Sequence, residues 1–329
     1  MSAAPGPSVL DDSRETRRNP MTRHLREWSV AAAYILLLLL LAVRAPRFFG
    51  GQYRDVLVAA APTLVAAIGM TLVIVARQID ISIGSQLSIC CIVAGMLSRA
   101  GWPMPAVAAA TLAAGAGMGA VNGTLVALLN IPSIVATLAT LVAWRESKRW
   151  FNQGETIMNL RPDFQWFGLS QSAGQTALVA VAAVLFVLAA IATRRLAAAR
   201  AVYAVGSDPE AARLAGVRPR RVTFAVFVLM GLLAAVAALL TAVRLPHVDP
   251  KTGENAFELQ VIAAVVVGGA AVSGGRGTLP GTLAGVALLA TIGPALVFLG
   301  SQPYWDRAIQ GGVILVAVAS DAAYRRSAA

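Results

Sequence analysis

Apolar runs alternate with short polar or glycine-rich stretches along nearly the whole chain, and each run reads as a helix in lipid. Helices are expected at Trp28–Val43, Val56–Ala76, Gln86–Ser98, Ala106–Leu129 and Ile131–Trp144. Five more are expected at Thr176–Thr193, Val222–Val243, Leu259–Val272, Thr282–Leu299 and Arg307–Ala319. The pattern predicts an all-α integral membrane protein of about ten crossings. A cytoplasmic tail (1–27), a transmembrane domain (28–320) and a second cytoplasmic tail (321–329) divide the chain.

The connections predict the rest of the plan. Ala45–Asp55 and the turn at Gly101-Trp102-Pro103 are short outer loops, and Phe151–Gln175 is the longest, with Phe164-Gln165-Trp166-Phe167 packing on the outer surface. Trp144–Trp150 reads as an interface belt of aromatics and snorkelling bases. Arg244–Glu258 carries His247, Asp249, Lys251, Glu254 and Glu258 without metal-ligand spacing, and reads as a solvated loop. Six crossings separate the first tail from Arg194–Arg221, and four separate that stretch from Arg325 and Arg326. Both termini and residues 194–221 therefore share one side, the cytoplasmic one by their basic residues.

Two stretches interrupt the apolar pattern. In Arg77–Ser85 polar groups alternate with isoleucines, so a broken or extended segment is expected partly inside the membrane boundary. Asp80 at that depth needs a partner, and Arg77 is the nearest; alternatively it caps the helix that follows. The second is Ser273–Gly281. It lacks the G-x-x-x-x-G-K-[ST] phosphate loop and has no lysine, so it reads as a tight inner turn. Gly115, Gly119 and Gly123, and again Gly277, Gly281 and Gly285, recur every four residues and form ridges on which another helix can lie close. Asn122 beside the first ridge can hydrogen-bond across helices.

Composition narrows the class. The chain is 57% hydrophobic and 13% charged, with a net charge of +11. In a soluble protein that charge would suggest nucleic acid; here the bases gather at span ends, next to lipid headgroups, and no nucleic-acid partner is expected. Cys90 and Cys91 are adjacent within a span and read as packing residues. With His24 and His247 as its only histidines, the chain lacks material for a His-based triad, and no catalytic residue, metal or cofactor is expected. A secondary transporter or channel would need intramembrane ionisable groups, and Asp80 and Asp306–Arg307 are the few candidates.

The stretch Arg194–Arg221 is the one long polar connection on the basic side. Asp208 suits an N-cap, Pro209 the first helical position, Glu210 the positive end of the dipole, and Gly216 the C′ position. A short surface helix there is either a connector or a docking element for a soluble partner.

The string Glu210-Ala211-Ala212-x-x-x-Gly216 resembles the coupling loop of permease subunits of bacterial ATP-driven importers. Arg77–Ser85 resembles the G-I-D-L-S-x-G-S stretch of the sugar-type group, with Arg77-Gln78 where a glycine-rich pair is usual. Ile262–Gly281 resembles the I-A-A-V-V-x-G-G…G-G-x-G signature of the same permeases. The chain from about Leu57 to Asp321 is thus similar to the ribose, rhamnose and autoinducer-2 permeases, and Ile131–Leu169 looks most like the last two. The resemblance implies a non-enzymatic subunit of the bacterial inner membrane that moves a monosaccharide or small polyol inward. Its implied partners are a cytoplasmic ATPase, a periplasmic sugar-binding protein and a second permease. Asp208, Glu210, Ala211, Ala212, Arg213 and Gly216 would contact the ATPase. Asp80, Ser82, Gly84, Ser85, Asn122, Gly268, Gly269, Gly274, Gly275 and Gly277 would form the path or its structural motif. A branched-chain amino-acid or nucleoside permease shares the same frame.

Overall fold

The computed structural model of the chain describes residues 20–300 apart from 254 and 255, with 305, 308, 309, 311, 312 and 315 beyond them. Most of the expected helix 307–319 lies outside the described residues. So do Glu254, Asp306, residues 1–19 and 321–329. The described elements are helical: α1 Pro20–Arg44, α2 Gln52–Val75, α3 Ile83–Arg99, α4 Met104–Gly123, α5 Ser133–Asn152 and α6 Gln171–Arg195. Then follow α7 Ala197–Ser207, α8 Pro209–Leu214, α9 Pro219–Ala242, α10 Phe257–Val267 and α11 Leu279–Phe298. Among the described residues five helices are long and apolar enough to cross a membrane: α2, α4 with its extension, α6, α9 and α11. Three shorter apolar helices accompany them.

α2 and α9 are apolar on all sides, and such helices belong at the centre. Both are mostly buried, and α3, α4, α10 and α11 pack around them. α6 instead leaves Val184, Val187, Leu188 and Ile191 exposed, as a lipid-facing helix does. α4 lies directly on α9. A Cβ on Gly119 would collide with the Phe227 carbonyl and come within 3.0 Å of the Val228 Cα, and one on Gly115 would strike the Gly231 carbonyl. Gly123 faces Phe224 in the same row. The second ridge works likewise between α10 and α11, where Gly285 faces the Ala264 carbonyl and Gly268 faces that of Gly281. Thr71 and Thr282 join α2 to α11 by a 2.8 Å hydroxyl hydrogen bond.

Several connections differ from expectation. Ala45–Asp55 is no loop: Pro46–Gly50 forms a 3-10 turn and α2 begins at Gln52. α4 loosens into a π-turn at Thr124–Leu128. α5 continues to Asn152 through the supposed interface belt, and Lys148 is buried rather than snorkelling. Phe164 is fully buried and the 3-10 turn Gln165–Gly168 follows it.

The largest correction concerns Arg244–Glu258. It is not a solvated loop throughout, because it descends along α3. Val248 bridges Ile157 and lies against Gly95, the Pro250 carbonyl reaches Ser88, and the Gly253 carbonyl reaches Gly84. Glu258 is buried in the first turn of α10. α10 has only 11 residues and stops at Gly268, short of the expected Val272. Residues 248–267 are therefore part extended chain and part helix.

Candidate functional site

Three linked regions carry the polar chemistry, and the first is the break between α2 and α3. Arg77 takes a left-handed conformation (φ 64°) and points outward, so it does not serve Asp80. Asp80 is fully buried and accepts instead from neutral donors: the Ser82 amide at 2.9 Å, the Ser82 hydroxyl at 2.6 Å and Gln86 Nε2 at 2.9 Å. Asn122 Nδ2 adds a longer contact of 3.4 Å and donates to Ser82 Oγ at 2.8 Å. Thr140 on α5 completes the set by donating to Asn122 Oδ1 at 2.8 Å. Asp80 is not itself the N-cap; Ser82 stands in that position, and the carboxylate holds the Ser82 amide.

The unpaired backbone of the break finds partners on α5. The amides of Ile79 and Ile81 donate to Ser133 Oγ and Thr137 Oγ1, each at 3.2 Å. Ser85 Oγ donates to the Leu141 carbonyl at 2.9 Å. Non-helical chain survives at membrane depth only when protein or water satisfies it, and here side chains do so. The successive pairings 79 with 133, 81 with 137, 85 with 141 and 88 with 148 also show that α3 and α5 run parallel.

The descending segment 248–253 is the second region, and sequence reading missed it. Lys148 Nζ donates to Ser88 Oγ at 2.5 Å and to the Pro250 carbonyl at 2.6 Å, pinning extended chain between α3 and α5. Below it, Arg145 on α5 faces Glu258 on α10 with Nη2 3.8 Å from Oε1. Cys90 and Cys91 are buried beside these groups in α3 and contact the Thr111 and Ala238 carbonyls.

The third region joins the glycine-rich turn to the surface helices. The single helix expected in 194–221 is two helices, α7 and α8. Gly206 near the end of α7 packs so closely that a Cβ would strike the Val75 carbonyl and lie 2.8 Å from the Gly275 amide. The Gly275 amide donates to the Val75 carbonyl at 2.9 Å, and Tyr203 donates to the Gly277 carbonyl at 2.9 Å. Gly274 lies against Arg77, so α7, the end of α2 and the turn 274–277 meet at one point. Gly268 and Gly269 end α10 where that turn begins.

α8 projects from this junction. Asp208 Oδ1 accepts from the amides of Glu210 at 2.9 Å and Ala211 at 3.1 Å, which caps its start. Its end is closed by the Val217 amide on the Ala212 carbonyl at 3.0 Å, with Gly216 left-handed at φ 82°. Ala212 is buried against the body, whereas Ala211 and Arg213 are exposed and Leu214 is 81% exposed. The Glu210 carboxylate grips Arg213 one turn on and holds its guanidinium pKa above the ordinary value. The result is an exposed knob, capped at both ends, with an apolar tip and a charged flank.

Comparison with known proteins gives the family of the chain. Residues 52–318 match the family described as the branched-chain amino acid transport system / permease component. The chain is 36% identical over 300 residues to the probable ABC transporter permease YphD of Escherichia coli K12, covering 91% of this chain and 90% of that protein. It is 31% identical over 302 residues to the ribose import permease RbsC of the same strain, covering 90% and 94%. The autoinducer 2 import permease LsrC of E. coli K12 / DH10B is 33% identical over 301 residues, covering 91% and 88%. No solved structure matches the chain.

Proposed function

We infer the function of this chain from the premise that it belongs to the permease-component family, and within it to the permeases of sugar-type ABC importers. It carries a monosaccharide or related small polyol from periplasm to cytoplasm across the bacterial inner membrane, driven by ATP hydrolysed on a separate subunit. Residues 28–320 make the transmembrane domain, with ten crossings and with both tails and residues 194–221 in the cytoplasm. A periplasmic sugar-binding protein delivers the solute, and a second permease completes the path.

The knob at α8 carries this reading. Hydrolysis elsewhere can do work here only through a contact that is stiff and directly connected to the spans. α8 is capped at both ends, presents Leu214 and Arg213 outward, and is joined to α9 by the four-residue turn 215–218. α7 before it sits on α2 and the turn 274–277 with no side chain between. Asp208, Glu210, Ala211, Arg213 and Gly216 therefore form the ATPase contact, while Ala212, expected among them, is buried against the body and seats the knob from behind. The Asp80 cluster, Gly84, Ser85 and the glycines 268, 269, 274, 275 and 277 form the moving floor of the path. The glycines of the two ridges are packing residues.

Uptake of radiolabelled D-ribose, L-rhamnose and L-leucine into membrane vesicles, with and without the partner ATPase, tests this. Sugar uptake that requires the ATPase is expected. Uptake that runs without it would indicate a secondary transporter, and uptake of leucine alone would indicate an amino-acid permease.

A further inference from the structure

We propose that a second copy of this chain covers the open face of α5, and that Glu146 of each copy pairs with the partner's Arg149 inside the membrane. This rests on the importer reading above and names the surface on which its two permeases meet.

Ile134, Leu138, Val142, Arg145 and Arg149 recur at three- and four-residue steps and so share one face of α5, with Val135 and Glu146 along its edge. The other side of the helix packs on α3 and α4 and buries Ala136, Thr140, Leu141 and Lys148. The shared face is open. Its four aliphatic residues are exposed, and Glu146 and Arg149 keep 59% and 56% of their side-chain surface.

Depth decides what can lie there. α3 and α5 run parallel, with Ser85 level with Leu141. Arg99, at the outer end of α3, stands about 21 Å above that level and Glu146 only about 8 Å. Glu146 is thus about 13 Å short of the outer end and about 20 Å from the Ser133 end of its own helix. A short carboxylate at that depth does not reach the headgroups, and an exposed charge there does not face hydrocarbon. α6 shows the contrast, since Val184, Val187, Leu188 and Ile191 are what it exposes.

Water does not suit the face either, because Ile134, Val135, Leu138 and Val142 form a continuous apolar stripe about 12 Å long. A covering surface must change from apolar to charged at the same depth. A second copy does so when the two-fold axis lies along the membrane normal, which places equal residues at equal depth. Aliphatic residues then meet aliphatic residues. Glu146 and Arg149 differ by about 4.5 Å in height, within an arginine's reach, so each Glu146 meets the partner's Arg149 and the contact forms twice. A groove of about 670 Å³ between α3 and α5, walled by Ile89, Ile92, Met96 and Glu146, borders the stripe and leaves room for the partner's side chains.

Disulfide trapping in inner-membrane vesicles holding the full-length permease and its ATPase tests this, in a background with Cys90 and Cys91 replaced by alanine. Two copies carrying tags of different size are co-expressed, so dimers of like and unlike copies are told apart by mass. Leu138→Cys and Val142→Cys should each give a covalent dimer on oxidation with copper phenanthroline. Val187→Cys, exposed on α6, should give at least tenfold less. Charge variants are then read by the Leu138→Cys yield. Glu146→Arg in both copies, or Arg149→Glu in both, should lower it at least tenfold, and Glu146→Arg in one copy with Arg149→Glu in the other should restore it. The pair within one helix cannot produce that restoration, because each copy carries only one of the changes. No uptake or ATP hydrolysis is read, so failure here leaves the importer reading standing. The proposal is overturned by no dimer from either cysteine, by a yield equal to that of Val187→Cys, by a cross-link to a different protein instead, or by a mixed pair no better than the like pairs.

Discussion

Asp80, fully buried in the break between α2 and α3, accepts hydrogen bonds from the neutral side chains of Ser82, Gln86 and Asn122. Its position in a polar break between apolar runs is visible in the sequence, because nothing else explains an acid there. Its cross-helix partner is not visible, since Asn122, and Thr140 that holds it, come from helices distant in sequence. A carboxylate held only by neutral donors is as costly to disturb as any buried ion, because each orphaned donor loses about 1–3 kcal/mol. Asp80→Ala and Asn122→Ala should each destabilise the permease, and the double variant should lose less than the sum of the two. Thermal unfolding of the four proteins measures this; strict additivity would mean the two side chains do not share a network. Gly206 gives a second residue-scale expectation. Its missing Cβ lets α7 touch the Val75 carbonyl. Gly206→Ala should cost about 1–3 kcal/mol as overpacking, and unchanged unfolding would show that α7 yields freely.

Among elements, the glycine ridges were legible because their four-residue spacing is a property of one helix, whatever it meets. The partner was not legible; α4 could have faced lipid with the same sequence. Against α9 the spacing is so close that Gly119→Leu has no room, since backbone rather than a flexible side chain stands opposite. That variant should unfold at clearly lower temperature than Gly117→Leu, whose position is open. Equal effects would contradict the α4–α9 seam. The descent of residues 248–253 along α3 escaped notice for the converse reason. It is extended chain with His247, Asp249 and Lys251 in it, which locally looks like a solvated loop. Lys148 and Ser88, supplied by α5 and α3, together with the bridge to Ile157, make that backbone tolerable in the interior. The helix signals inside 208–216 were local: cap, proline, acid and glycine all fall within nine residues, and all four take the expected positions. That a second helix, α7, precedes them was not apparent, because its alanine-rich sequence continues the preceding span.

At the scale of the molecule, the parallel run of α3 and α5, the half-helix α10 and the junction of α7 with residues 274–277 define one mechanical line. It leads from the exposed tip at Leu214, through Gly206 and Val75, to the break that holds Asp80. Both its ends must lie on predictable sides of the membrane. Single cysteines at Ser172 and Ser207, with Cys90 and Cys91 replaced, should label from opposite faces; labelling from one face would break the ten-crossing arrangement. The line itself is tested most directly by substrate-stimulated ATP hydrolysis in the reconstituted importer carrying Gly216→Val or Gly216→Asn. At φ 82° a β-branched residue is strongly disfavoured while asparagine is tolerated, and nothing stands near enough for a Cβ to clash. The account predicts that Val abolishes stimulation with assembly and abundance intact, and that Asn retains most of it. Full stimulation with Val, or equal loss with both, would contradict it.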